Sequence, residues 1–260
     1  MSDLLPLFPL PNIVLFPNVF LPLHIFEPRY RDMVTDALAS DRLIGMVLLK
    51  PGWEHDYERR PPVYPMGCSG VITHVDRLPD GRYNIVLRGL ERFRLLEEDH
   101  VRPYRRASVE PAAERPTVTA DRAVLRRQRS KLEALLAPAI ERGLRSAILD
   151  PRPEPSRGAT SSGSSRAWSR DDTFRGARRP AQLTVDESAH GLGNTDPLIP
   201  SGMPDEDLVN ALAQYLDLEP IEKQALLEAP CLRSRAESLV ELLEMKIMIA
   251  RTPGLSHVAH

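Results

Sequence analysis

From Leu4 to Leu23 the chain runs without one charged residue, and five prolines interrupt the run: Pro6, Pro9, Pro11, Pro17 and Pro22. About 20 apolar residues are enough to cross a bilayer as a helix. Prolines at this density forbid that helix. Each removes a backbone donor and pushes the residue before it towards extended backbone. A spanning helix must satisfy its own backbone, so the stretch reads as short buried strands and turns, with no membrane. It does not read as a signal peptide either, because Asp3 precedes it where a basic cluster belongs.

The remainder of the chain supports a folded domain. Hydrophobic residues make up 42% and charged residues 27%, with a net charge of -2. That balance gives no global attraction to nucleic acid or to an acidic membrane surface. Two cysteines, Cys68 and Cys231, cannot build a disulfide framework, and the expected setting is cytoplasmic.

Residues 1–110 read as mostly β with one helix inserted. Strands are expected at Ile13–Phe16, Val19–Leu23, Leu43–Leu49, Gly67–Val75, Tyr83–Arg88, Glu91–Leu96 and Tyr104–Val109. Pro28 opens a helix over Arg29–Ala39, and Asp80-Gly81 supplies hairpin-turn chemistry. Gly89 is expected to turn the chain tightly between two strands. Residues 111–150 form a helical segment with a net basic face, which Pro138 should kink or divide. Residues 205–260 form a net acidic helical block, with Asp205 as the expected N-cap of its first helix, and the two blocks should pack together. Between them, 21 of the 54 residues in 151–204 are Pro, Gly or Ser. That composition cannot offset its ordering entropy, so a flexible low-complexity linker is expected. A GC-rich gene read out of register gives the same composition, and an intact mass of the native protein distinguishes the two.

Motifs of known chemistry are absent. None of the four lysines follows a glycine, so there is no phosphate-cradling P-loop. No Gly-x-Gly-x-x-Gly, His-Glu-x-x-His or Cys-x-x-Cys occurs, and neither a cofactor nor a metal is implied. Cys68 and His74 lie six apart on one expected strand, an even spacing that puts both on the same face. A thiol needs a base within reach to act as a nucleophile, so this pair is the one enzyme-like constellation.

Three segments carry a family resemblance. They are Leu5-Pro6-Leu7-Phe8-Pro9-Leu10, then Val14-Leu15-Phe16-Pro17, then Leu21-Pro22-Leu23-His24-Ile25-Phe26-Glu27-Pro28-Arg29-Tyr30. Together they closely resemble the opening of the Lon protease N-terminal domain. The likeness continues through Gly45-Met46-Val47, Gly67-Cys68-Ser69-Gly70, Asp80-Gly81-Arg82 and Gly89-Leu90-Glu91-Arg92-Phe93-Arg94. It implies an α+β fold: a PUA-like pseudo-barrel followed by a helical subdomain. The ATPase and peptidase modules of Lon are missing from these 260 residues. The chain is therefore similar to stand-alone bacterial proteins with a Lon substrate-binding domain, and no enzymatic activity is carried over.

What the resemblance implies is a non-catalytic module that binds unfolded or flexible polypeptide, as an adaptor or regulator in protein quality control, with a protease or chaperone as the class of partner. The expected polypeptide contacts are Trp53, Tyr57 and Tyr64, aromatics on the Pro51–Pro65 loop. Phe16, Pro17, Phe26, Glu27, Pro28, Arg29, Tyr30, Gly67, Gly89, Arg92 and Phe93 are expected to be structural, with Arg92 and Arg94 facing outward together. Two alternatives stand beside this reading. PUA-like barrels often bind RNA, but the β domain holds 14 basic and 15 acidic residues and shows no electrostatic footprint. The other is an enzyme using Cys68 and His74.

Overall fold

A computed structural model describes residues 4–55, 59–116, 118–141 and 203–251. Among them are six strands: β1 (Leu5–Leu10), β2 (Phe20–Ile25), β3 (Leu43–Leu48), β4 (Met66–Arg77), β5 (Tyr83–Asp99) and β6 (Arg105–Pro111). The sheet order is β2-β5-β4-β3-β1-β6, and a further pairing of β5 with β6 closes five of the strands into a ring. The β1–β3 pair is parallel and the other pairs are antiparallel. The expected α+β class and pseudo-barrel are what the structure shows.

The prolines sit where the ladder can spare a donor. Pro6 lies where β1 pairs with β6 alone, and Pro9 lies where it pairs with β3 alone. Each ring therefore occupies a half-paired stretch of strand. The amide of Gly89 donates to the Val19 carbonyl at 2.9 Å. That bond sets the phase of β2 and turns Pro22 towards its free edge. The Tyr215 hydroxyl donates to the Phe20 carbonyl at 2.6 Å, so a second group covers that edge.

Helix α1 (Pro28–Leu38) starts on the expected proline, at the first helical position. It buries Tyr30, Met33, Val34 and Ala37 against the barrel. The helices α2 (Thr119–Glu141), α3 (Asp205–Tyr215), α4 (Pro220–Glu228) and α5 (Leu232–Arg251) form the helical part. Leu125, Leu132 and Leu136 of α2 share one core with Leu208, Leu212, Leu239 and Leu243 of α3 and α5. Ion pairs frame these contacts: Lys131 with Glu244 at 3.5 Å, Arg129 with Asp205 at 3.0 Å and Arg233 with Asp121 at 3.2 Å. The expected linker falls almost wholly outside the described residues.

Several expectations need correction. Ile13–Phe16 is not a strand: it is irregular backbone whose Val14, Leu15 and Phe16 are buried in the core shared with α3. The Phe16 amide donates to Gln214 Oε1 at 3.2 Å, and the Phe16 carbonyl accepts from the Val19 amide at 3.4 Å. Gly89 is not a turn, because β5 runs through it as one strand of 17 residues. A side chain there would collide with the Phe16 carbonyl, so closeness of backbones, not conformation, demands glycine. Pro138 does not divide α2, which runs through it to Glu141. Asp205 is the first helical residue, Pro204 takes the cap position, and the Asp205 carboxylate pairs with Arg129 instead.

The Gly89→Ala variant is expected to lose about 3 kcal/mol of stability, the upper range for overpacking against unyielding backbone. Urea denaturation measures this, and an unchanged midpoint would contradict the packing described.

Candidate functional site

The site is built on β5. Cys68 pairs with Arg92 and Gly70 with Gly89, so Leu90 and Glu91 together oppose Ser69 alone. This is a β-bulge, and it turns both side chains outward. The Ser69 hydroxyl donates to the Glu91 carbonyl at 3.1 Å and supports the bulge. The next two residues part company. Phe93 points into the barrel and is 2% exposed, packed with Leu5, Leu7, Val47 and Ala107. Glycine makes room for its ring, since a Cβ at Gly45 or Gly67 would stand 2.9 or 2.7 Å from Phe93 Cζ.

Around this end of the barrel lies a groove of about 660 Å³. Leu5, Leu43, Leu90, Phe93 and Val109 supply its apolar surface. Asp36, Asp41, Glu91, Arg102 and Arg106 supply its charge. Tyr104 donates to Asp36 at 2.6 Å, and Arg102 lies 3.6 Å from the same carboxylate. Burial and this acceptor push the Tyr104 hydroxyl up to about 12, so it remains a donor. Arg106 is paired with Asp99, and its bond holds the Asp99 carboxyl below the usual range.

Arg92 faces away from the barrel and disappears under the helices. Its Nη1 donates to the Leu227 and Ala229 carbonyls at 2.7 and 2.6 Å, at the C-terminal end of α4. A second arginine reaches the same end: Arg235 Nε donates to the Leu226 carbonyl at 2.9 Å. Glu114 lies between them, 3.4 Å from Arg92 Nε and in contact with Arg235 Nη2. Arg235 Nη1 donates to Asn210 Oδ1 at 2.7 Å, and Asn210 Nδ2 donates to the Pro17 carbonyl at 3.2 Å. Burial lowers the Arg92 guanidinium from its ordinary value while Glu114 opposes that shift. An arginine stays charged even so.

The expected outward pair is thus divided by its surroundings. Arg92 and Arg94 share a strand face, but Arg92 is 5% exposed while Arg94 is open to solvent and 3.6 Å from Glu110. The other motif residues have these partners. Phe16 is buried beneath Arg235, whose Cζ stands 5.8 Å from the ring centre. Glu27 pairs with Arg29 at 2.9 Å, on either side of Pro28. Tyr30 packs on Phe8 with ring centres 4.5 Å apart, and Phe26 stacks on His24 at 6.2 Å.

Trp53 and Tyr64 lie at the other end of β3 from the groove. Trp53 is half-buried in a short 3-10 turn over Trp53–His55. Tyr64 is half-buried against the core, with its amide donating to the Leu48 carbonyl at 2.9 Å. Tyr57 falls outside the described residues.

Cys68 and His74 do not meet. Ile72 pairs with Leu87 and His74 with Val86, so β4 carries one extra residue between them. That residue undoes the even spacing: Cys68 is fully buried and His74 is exposed. Burial pushes the Cys68 thiol up to about 12. No group of three or more His, Cys, Asp or Glu side chains suited to a metal occurs among the described residues. No helix among them is long and apolar enough to cross a membrane.

Sequence reasoning missed the polar residues of the helical part. Arg235 sits on the apolar stripe of α5 with Leu232, Ala236, Leu239 and Leu243, and a charge in that position was the available signal. Asn210 and Gln214, four apart on the buried helix α3, gave a similar one.

A closed five-stranded barrel thus carries helices docked on one face and an open groove at one end. The chain belongs to the ATP-dependent protease La (LON) substrate-binding domain family, whose model matches residues 4–245. It is similar to the N-terminal domain of Mycobacterium avium complex Lon protease, with a TM-score of 0.56 at 14% identity, covering 93% of this chain and 98% of that one. It is also similar to Lon protease of Dictyoglomus thermophilum, 31% identical over 119 residues, 46% of this chain and 15% of that protein. Lon protease of Parabacteroides distasonis is 35% identical over 106 residues, 40% of this chain and 12% of that protein. The chain therefore spans only a small part of the length of the curated relatives it matches.

The two cysteines give a direct check on burial. Hydrogen bonds from Ser234 lower the Cys231 thiol below its ordinary value, whereas Cys68 is held protonated. Iodoacetamide at neutral pH is expected to label Cys231 and leave Cys68 intact until the protein unfolds. Mass spectrometry of the native protein reads this, and comparable labelling of both would contradict the geometry.

Proposed function

We propose that this protein is a non-catalytic module that binds unfolded or flexible polypeptide in the groove at the end of the barrel. The observation that carries the reading is the bulge at Leu90 and Glu91. It opens an apolar surface beside Phe93 in a chain whose family is a substrate-binding domain. Bulges re-aim side chains at functional edges. A volume of about 660 Å³ admits several side chains and not a folded domain. The role is that of an adaptor or regulator in cytoplasmic protein quality control, acting alongside a protease or chaperone. Trp53 and Tyr64 sit at the opposite end of β3, and with Tyr57 they are the second set of candidate contacts.

The experiment is fluorescence anisotropy with a labelled, permanently unfolded polypeptide. Leu43→Ser with Leu90→Ser is expected to weaken binding about tenfold or more, the loss typical of a central apolar contact. The melting temperature should fall only slightly, since Leu90 is 40% exposed and Leu43 only partly buried. Trp53→Ala, Tyr57→Ala and Tyr64→Ala together place the site on the loop if they alone abolish binding. No binding by the unmodified protein would overturn the reading.

A further inference from the structure

The charges around the groove are not balanced. Its two arginines are each already held by an acid: Arg102 lies 3.6 Å from Asp36, and Arg106 is paired with Asp99. Among the described residues, two acids have no such partner. Asp41 Oδ1 accepts only from neutral donors, the Leu43 amide at 3.1 Å and the Ser40 hydroxyl at 3.4 Å. Glu91 is anchored through its backbone to Ser69, and its carboxylate is exposed. Neither carboxylate has an arginine or lysine within ion-pairing distance among the described residues. They come from separate elements, Asp41 from the turn after α1 and Glu91 from the bulge in β5, yet line one groove with Leu43, Leu90 and Phe93.

Resting on the polypeptide-binding reading above, we infer that the groove selects segments in which an arginine or lysine stands beside apolar side chains. Leu90 and Leu43 take the apolar side chains, while Asp41 and Glu91 take the cation. A segment carrying aspartate or glutamate in that place is repelled by both carboxylates. Charge thus supplies the choice among unfolded segments, and apolar contact supplies the hold. A partly exposed ion pair is worth little by itself, so the discrimination is moderate and depends on salt.

The test uses the whole protein and three fluorescein-labelled peptides, Ser-Leu-Phe-X-Leu-Phe-X-Leu-Ser, with X as arginine, glutamine or glutamate. At low salt the arginine peptide is expected to bind roughly tenfold tighter than the glutamate peptide, with glutamine between them. The ratio should shrink towards unity at high salt. Asp41→Asn with Glu91→Gln preserves the hydrogen-bonding shape, so it should bring the arginine and glutamine peptides level. Equal binding of all three to the unmodified protein would overturn the selectivity and leave the polypeptide-binding reading standing. A preference that survives in the double variant would also overturn it, since these two carboxylates would not be its source. If no peptide binds while an unfolded polypeptide does, the inference fails alone. If neither binds, the reading beneath it fails as well.

Discussion

The helical part of this protein is held by what happens to two buried positive charges. Arg92 comes from a barrel strand and Arg235 from the last helix, and both point at the C-terminal carbonyls of α4. That end of a helix carries unpaired acceptors and partial negative charge, so it suits cations. Glu114, on the segment leaving β6, lies against both guanidinium groups. The arrangement satisfies the charges only when barrel, connecting segment and three helices are all in place. A buried ionic network is weak evidence for high stability, because desolvation offsets much of the attraction. Its contribution here is to specify one docking geometry, since an apolar face alone would tolerate several.

The same strand serves both sides of the molecule. Along β5, Gly89 admits the Phe16 backbone, Leu90 and Glu91 bulge into the groove, Arg92 anchors the helices and Phe93 fills the barrel. Five consecutive residues therefore have four different neighbourhoods. The helices cover the face on which Arg92 lies, and the groove opens where Phe93 closes the barrel. Fixing the position of Arg92 also fixes the bulge, because only one residue of β4, Ser69, spans the two positions between Arg92 and Gly89.

Local sequence signals read the regular parts well and failed where long-range packing decides. Pro28 opening α1 and the run Leu43–Leu48 follow from turn chemistry and periodicity. Gly89 looked like a turn because glycine favours turns, yet its requirement comes from Phe16, which is distant in sequence. Ile13–Phe16 looked like a strand because it is apolar, but it pairs with no strand and its Phe16 amide donates to Gln214 of α3. The groove was not legible at all. It depends on a bulge that shifts the strand alternation, and a period of two cannot reveal a bulge. The resemblance of the N-terminal motifs supplied the family, which periodicity could not.

Native-state hydrogen exchange on a Glu114→Gln variant tests this account most directly. Removing the one carboxylate between Arg92 and Arg235 leaves two buried cations facing each other, at a cost of about 3 kcal/mol. The expected result is loss of protection in α3, α4 and α5, with β3 and β4 keeping theirs. Unchanged protection throughout the helices would contradict the claim that this network holds them on the barrel.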